Sequence, residues 1–216
     1  YNAMKIEVWS DIMCHFCYIG KRRFEEALNS FPRKDNVQVE WKSFLLNPEM
    51  ETDPAKSLHE FLAAHKGIPL EEAREMNAYV SRMAEASGLT YNLDNAIPAN
   101  SFNAHRLLHF AKQHGRQAEA GELLFSAYFT EGQNIDDAGT LLAISSKAGL
   151  DAAEFAKAMD EGAFAQEVVT DMQEAQDLGV RGVPFFVFNR KYAVSGAQET
   201  NAFLEVLEKA YAETME

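Results

Sequence analysis

The sequence predicts an α/β protein whose small sheet is built from both ends of the chain, with a helical block between them. Strand-like alternation occurs early, at residues 5–9 and 37–44, on either side of a helical pattern at residues 15–30. Strand patterns return only near the end, at residues 185–194. The long middle shows helical periodicity and no good strand.

The first three elements form a βαβ unit. Ile6-Glu7-Val8-Trp9 is a β-prone segment, and the helix that follows it ends before Pro32. Residues 37–44 alternate apolar and polar side chains, which is typical of a second strand. This spacing indicates parallel strands joined by a right-handed crossover.

Helices are predicted throughout the middle of the chain, and three of them end at a glycine. They cover a short segment starting at Asp53-Pro54, then residues 70–87, 101–114, 116–130 and 137–148, and a short segment capped by Asp151. Pro48, Pro54 and Pro69 interrupt the early part of this region. We therefore expect a helical insertion over residues 49–163.

The chain closes with a predicted αββα unit. A helix covers about residues 164–178, a hairpin joins 185–188 to 192–194, and a last helix capped by Thr200 runs to Tyr211. The expected domains are thus residues 4–48 and 164–216, which together make the sheet unit, and the insertion 49–163.

Composition excludes several functions. The net charge of −13 argues against nucleic acid and anionic membranes as partners, because both require a basic surface. No apolar run is long enough for a transmembrane helix, and no signal-peptide pattern precedes Met4. We therefore expect a cytoplasmic protein.

The two cysteines of the chain, Cys14 and Cys17, lie where the first strand gives way to the first helix. A helix N-terminus carries unpaired N–H groups and a partial positive charge, which stabilise a thiolate. A second thiol one turn later can close onto the first as a disulfide. A CxxC pair at such a junction predicts redox chemistry. One alternative is half of a zinc site, which two histidines would have to complete because no second cysteine pair exists. The other is a purely structural disulfide, which would close too small a loop to stabilise the fold much.

Four segments carry a resemblance to a known family. They are residues 11–23 (DIMCHFCYIGKRR), 102–107 (FNAHRL), 128–132 (YFTEG) and 179–187 (GVRGVPFFV). With the βαβ and αββα units, these resemble the thioredoxin fold with the helical insertion of the DsbA family, and its FrnE-like cytosolic branch in particular. Two positions depart from the superfamily: His15 replaces a common proline, and Val8 stands where a buried acid often accepts a proton.

The resemblance implies roles for individual residues. Cys14 would be the nucleophile and Cys17, more deeply buried, would resolve the mixed disulfide. Pro184 would follow a cis peptide bond and expose the backbone of Val183 to an extended substrate.

Further site residues are expected around this pair. A protonated His15 would stabilise the thiolate, or would simply be exposed; Phe16 would form an apolar rim. Asp11 is expected to cap the helix, with proton relay as the alternative. Asn103 and Arg106 are expected to line the cleft. His105 and His109 lack the glutamate of HExxH and are interpreted as a helix face, so no metal is expected.

The predicted function is thiol–disulfide exchange with protein or small-molecule thiols and disulfides. No cofactor is required, and we allow for glutathione as a reductant or co-substrate and for a homodimer. One alternative is a glutathione-dependent isomerase or transferase of the kappa class, in which serine commonly replaces the first cysteine. The other is a non-catalytic binding or chaperone module.

Overall fold

The computed structural model describes residues 3–214, and in that part of the chain it forms one four-stranded sheet with helices around it. The strands are β1 (Met4–Ser10), β2 (Val37–Ser43), β3 (Phe185–Phe188) and β4 (Tyr192–Ser195), in the spatial order β2-β1-β3-β4. Strand β1 is parallel to β2 and antiparallel to β3, which is antiparallel to β4. The predicted α/β class is confirmed.

The helices follow the predicted order. They are α1 (Cys17–Ser30), α2 (Leu58–Lys66), α3 (Leu70–Ala86), α4 (Phe102–Gln113), α5 (Gln117–Phe129), α6 (Ala138–Lys147), α7 (Ala152–Asp160), α8 (Ala165–Asp177) and α9 (Thr200–Thr214). Helices α2 to α7 follow β2 without an intervening strand, and α8 leads into the closing hairpin.

Three predicted helix starts differ from the structure: that of α1 by two residues, that of α2 by several, and that of α9 in the role of Thr200. Helix α1 begins at Cys17 and not at residue 15. Helix α2 begins only at Leu58, because the Ser57 side chain accepts a hydrogen bond from the Glu60 N–H at 3.0 Å and caps it there. Thr200 is already helical, and its hydroxyl donates to the Glu26 carboxylate at 3.2 Å.

The apolar side chains form two main cores, and helix α1 contributes residues to both. The sheet core joins strand residues such as Ile6 and Phe186 to α1 and α9 through Phe24 and Phe203. The second core belongs to the helical block, yet it also includes Ile12, Cys14, Cys17, Tyr18 and Ile19 from the turn and the start of α1. The cysteine segment is therefore packed by the helical block, while the rest of α1 packs on the sheet.

Within residues 3–214, none of the helices combines the length and the apolar character that crossing a bilayer would require.

Candidate active site

The two cysteines occupy a turn between β1 and α1. Strand β1 ends at Ser10, and the Cys14 N–H donates to the Asp11 carbonyl at 3.1 Å. The Cys17 N–H donates to the Cys14 carbonyl at 3.1 Å, and Cys17 is the first residue of α1. Cys14 thus lies just ahead of the helix and Cys17 opens it, so both are close to its N-terminal amides.

The two thiols have unequal surroundings. Both are unpaired; Cys14 is 5% exposed and Cys17 is completely buried. Burial, reinforced by the hydrogen bond with the Cys14 thiol, raises the pKa of Cys17 well above its usual value. Cys17 is consequently held as a neutral thiol beside the more accessible Cys14.

The peptide bond between Val183 and Pro184 faces the cysteines. This bond is cis, and the Cys14 thiol donates a hydrogen bond to the Val183 carbonyl at 3.6 Å. Gly20 permits the approach, because a Cβ at that position would lie 2.9 Å from Pro184 Cγ. The segment ahead of β3 is thereby brought against the turn that carries Cys14.

His15 is partly buried, and its imidazole is hydrogen-bonded. Its Nε2 lies 2.9 Å from Asn77 Oδ1 on α3, and the Tyr91 hydroxyl donates to its carbonyl at 2.7 Å. Burial lowers the pKa of His15, and the nearby Lys66 and His59 lower it further, while the hydrogen bond to Asn77 opposes these effects. The neutral imidazole is favoured, which counts against the expected stabilisation of the thiolate by an imidazolium.

The expected helix cap at Asp11 is wrong. Its carboxylate is completely buried and accepts hydrogen bonds from the Ser101 hydroxyl (2.6 Å), His105 Nε2 (3.0 Å) and the Leu46 N–H (2.9 Å). Helix α1 has no side-chain cap at its N-terminus. Because these donors come from α4 and the segments before α4 and after β2, Asp11 ties the cysteine turn to the helical block.

The remaining predicted residues separate into two places. Phe16, beside the cysteines, is 39% exposed, as expected for an apolar rim. Arg106 instead donates to the carbonyls of Met159 and Ala163 and to Asn103 Oδ1. Asn103 donates to Asp136. The hydrogen bonds of both residues therefore run within the helical block, and none of them supports the expected place in the substrate cleft.

The two α4 histidines make carboxylate contacts. His105 binds Asp11, while His109 Nε2 lies 2.8 Å from the Asp171 carboxylate on α8. In the part of the chain that the structure describes, no group of three or more His, Cys, Asp or Glu side chains is arranged to bind a metal ion.

Sequence reasoning missed the residues that surround His15. Asn77, Tyr91 and His59 lie far from the cysteines in the sequence, on or near helices whose patterns only indicated a core face. The one available signal was Asn77, a polar residue on the apolar face of α3, because a buried amide needs a hydrogen-bonding partner. That signal does not name the partner.

Comparisons with known proteins agree with this architecture. A family model described as the DSBA-like thioredoxin domain matches residues 5–208. The chain is 30% identical to the uncharacterized protein YwbO of Bacillus subtilis (strain 168), over 98% of this chain and 97% of that protein. The structure of this chain resembles that of a probable DsbA oxidoreductase, SCO1869, from Streptomyces coelicolor. The TM-score is 0.90, and the identity is 37% over 97% of this chain and 91% of the other.

A more distant neighbour shares the fold alone. The cytosolic disulfide reductase DsbM from Pseudomonas aeruginosa, solved with GSH, has a TM-score of 0.67 and 16% identity over 96% and 99% of the two chains. Taken with the family match over most of the sequence and the CxxC turn beside a cis peptide bond, these findings lead to one conclusion. The chain belongs to the DSBA-like thioredoxin domain family.

Proposed function

We propose that this chain is a thiol–disulfide oxidoreductase in which Cys14 attacks and Cys17 resolves. The observation that carries the proposal is the unequal burial of two neighbouring thiols, with the more accessible one held against the Val183 carbonyl. A nucleophile must reach a substrate sulfur, whereas the resolving thiol must stay protonated until the mixed disulfide has formed. The surroundings of Cys14 and Cys17 match these two requirements.

The proposed reaction moves two electrons to a substrate disulfide. The Cys14 thiolate forms a bond to one substrate sulfur, and the substrate S–S bond breaks to release the first thiolate. Cys17 then loses its proton and attacks Cys14, which releases the second substrate thiolate and leaves a Cys14–Cys17 disulfide. Two molecules of a thiol such as glutathione, which leave as their own disulfide, would return the pair to the dithiol.

Val183 is the proposed contact for the substrate backbone. Its carbonyl lies 3.6 Å from Cys14 Sγ, so a peptide that pairs with this segment would bring its own sulfur to Cys14. Phe16, partly exposed beside the pair, would contact apolar groups of the substrate. We further propose that the protein works in a reducing compartment such as the cytoplasm, which the fold shared with cytosolic DsbM supports.

The test is to trap the mixed disulfide. Cys17→Ser protein exposed to oxidised glutathione should accumulate glutathione on Cys14, detected by mass spectrometry of peptides. Cys14→Ser should abolish turnover and accumulate little adduct, because Cys17 is buried. Turnover retained by Cys14→Ser would contradict the proposal. Glutathione bound tightly by the wild type without exchange would favour the glutathione-dependent isomerase or transferase instead.

A further inference from the structure

A line of four hydrogen-bonded side chains leads from the residue beside Cys14 to the surface. His15 Nε2 lies 2.9 Å from Asn77 Oδ1, Asn77 Nδ2 lies 2.8 Å from His59 Nδ1, and His59 Nε2 lies 2.7 Å from Asp94 Oδ1. Asn77 and His59 are 1% and 5% exposed, whereas the Asp94 side chain is 83% exposed. The line joins α3, α2 and the turn at Leu93–Asn95 to the cysteine turn.

The direction of each hydrogen bond follows from the carboxylate at the outer end. A carboxylate accepts only, so His59 Nε2 must carry the hydrogen that binds Asp94. In neutral His59, Nδ1 is then a bare acceptor, and the Asn77 amide must present its NH₂ group to it. The amide oxygen is left facing His15, whose Nε2 must therefore carry a hydrogen.

The Asn77 carboxamide, between the two imidazoles, determines whether protons can pass along the four side chains. A carboxamide does not readily pass a proton from its oxygen to its nitrogen, so the four residues do not form a proton wire. They do fix a tautomer, because the choice made at one imidazole determines the choice at the other. Neutral His15 then keeps its proton on Nε2 and has a bare Nδ1.

Other contacts hold the His15 ring in place. The Phe129 ring lies in a T-shaped arrangement with the imidazole, 6.0 Å between centroids, and the Tyr91 hydroxyl donates to the His15 carbonyl. Burial lowers the pKa of His15, which agrees with a neutral ring. The imidazole is thereby restrained in orientation as well as in tautomer.

We propose that Asn77 and His59 are positioning residues for the cysteine pair, which, with Asp94, hold the buried, neutral His15 in the tautomer protonated on Nε2. This inference rests on the proposed function. A cation beside Cys14 would stabilise its thiolate and so the reduced form, making the pair more oxidising. A neutral His15 in this tautomer does not supply that stabilisation, which makes the pair a better reductant.

The first test reads the tautomer directly from imidazole nitrogen NMR shifts of His15. The wild type should show a protonated Nε2 and a bare Nδ1. Asp94→Asn should give a tautomer mixture, because an amide at that surface position can donate or accept, whereas Asp94→Glu should restore the wild-type signal. Glu75→Gln removes one exposed charge from α3 and should change nothing. A wild-type His15 protonated on Nδ1, or on both nitrogens near neutral pH, would overturn the inference.

The second test reads the redox equilibrium with glutathione. Asn77→Asp places a carboxylate between the two imidazoles and should convert His15 to imidazolium, shifting the equilibrium constant roughly tenfold towards the dithiol. A folded Asn77→Asp protein within twofold of the wild type would overturn the inference. If this buried substitution prevents folding, the NMR comparison of Asp94→Asn with Asp94→Glu tests the inference instead.

Different results would overturn the proposed function and the inference about His15. A wild type that never exchanges with glutathione overturns the proposed function and this inference together. Normal exchange combined with the wrong His15 tautomer overturns this inference alone.

Discussion

Among single residues, the two thiols and the buried acid near them determine the order of events at the site. Cys17 is completely buried, and its pKa is raised first by burial and then by the Cys14 thiol, with a smaller contribution from the charge of Asp11. Asp11 is itself completely buried and accepts three hydrogen bonds. Its charge therefore acts on Cys17 with little screening by water.

The substitution Asp11→Asn tests that influence. Removing the charge should lower the pKa of Cys17 and speed the release of substrate from the mixed disulfide. The same change should lower the free energy of unfolding by about 1–3 kcal/mol, because an amide cannot accept hydrogen bonds from all three groups that donate to the Asp11 carboxylate. The measurements are stopped-flow kinetics of the resolving step and urea unfolding.

Ser101→Ala is the matched control for this substitution. It deletes one donor to Asp11 but keeps the charge, so stability should fall while the resolving step keeps its rate. A slower resolving step in Asp11→Asn would contradict the prediction and would show instead that Asp11 receives the Cys17 proton.

Among the elements, helix α1 is positioned on one side by the segment ahead of β3. Gly20 Cα faces Pro184 so closely that an added Cβ would lie 2.9 Å from Pro184 Cγ. The backbone of Gly20 is helical, so alanine can adopt its backbone conformation without strain, and only its Cβ would clash with Pro184. Close contact between α1 and the cis peptide bond therefore depends on the absence of this side chain.

Gly20→Ala should separate the cysteine turn from Val183. We expect the rate of disulfide exchange with a peptide substrate to fall about tenfold, since small displacements of reacting groups have large effects. Stability should change by less than about 1 kcal/mol, because the helix propensity of alanine offsets part of the strain. Gly139→Ala is the control, because Gly139 is a helical glycine of α6 where an added Cβ would meet only the Asp137 side chain, at 3.2 Å. Unchanged exchange in Gly20→Ala would refute this explanation.

On its other side, α1 is bound to α5 through Glu122. Lys21 Nζ and Arg22 Nη2 lie 2.7 and 2.8 Å from its carboxylate, and the Tyr18 hydroxyl also donates to it. Burial alone would raise the pKa of Glu122, but Arg22 and Lys21 outweigh burial and lower it to about 2 from 4.5. A lowered carboxyl pKa stabilises the fold above the unfolded-state value, and this contribution is lost as the pH falls from 4.5 towards 2.

Glu122→Gln should therefore destabilise the protein near neutral pH and hardly at all in acid. After allowing for screening of a side chain about a third exposed, we expect a loss of about 1 kcal/mol at about pH 7 and almost none at about pH 2. Urea unfolding at both pH values measures this. Glu119→Gln, in an exposed pair on the same helix, should have little effect at either pH. A loss for Glu122→Gln that is the same at both pH values would contradict the electrostatic explanation.

The elements were largely predictable from local pattern, whereas the contacts among them were not. The strand alternation at residues 37–44, and the apolar run at 185–188, sufficed to place β2 and β3. The start of α1 was missed because no side chain caps it, and Asp11 was misassigned because its partners lie on distant segments. The Asn77 partner of His15 is 62 positions away, a separation that periodicity cannot bridge.

At the scale of the whole molecule, helix α1 joins the two main cores. Ile12, Tyr18 and Ile19 pack into the helical core, while Phe24 of the same helix packs into the sheet core. The division into residues 4–48, 49–163 and 164–216 stays a prediction. Because α1 contributes to both cores, we expect the sheet and the helical block to unfold together.

Two spectroscopic probes can check that cooperativity. Trp9 and Trp41 both lie in the sheet, so their fluorescence reports on it, while far-ultraviolet circular dichroism reports mainly on the helices. The urea transitions seen by the two probes should coincide. Two separated midpoints would show instead that the helical block is independently stable.

The most direct measurement of the central claim is a redox titration of the wild type against glutathione buffers, with the state of each cysteine read by mass spectrometry. Two-electron exchange predicts one reversible transition between the dithiol and a Cys14–Cys17 disulfide, with any mixed disulfide found on Cys14. If no intramolecular disulfide forms at any buffer ratio, or if the adduct is found on Cys17, Cys14 and Cys17 do not have the roles assigned to them.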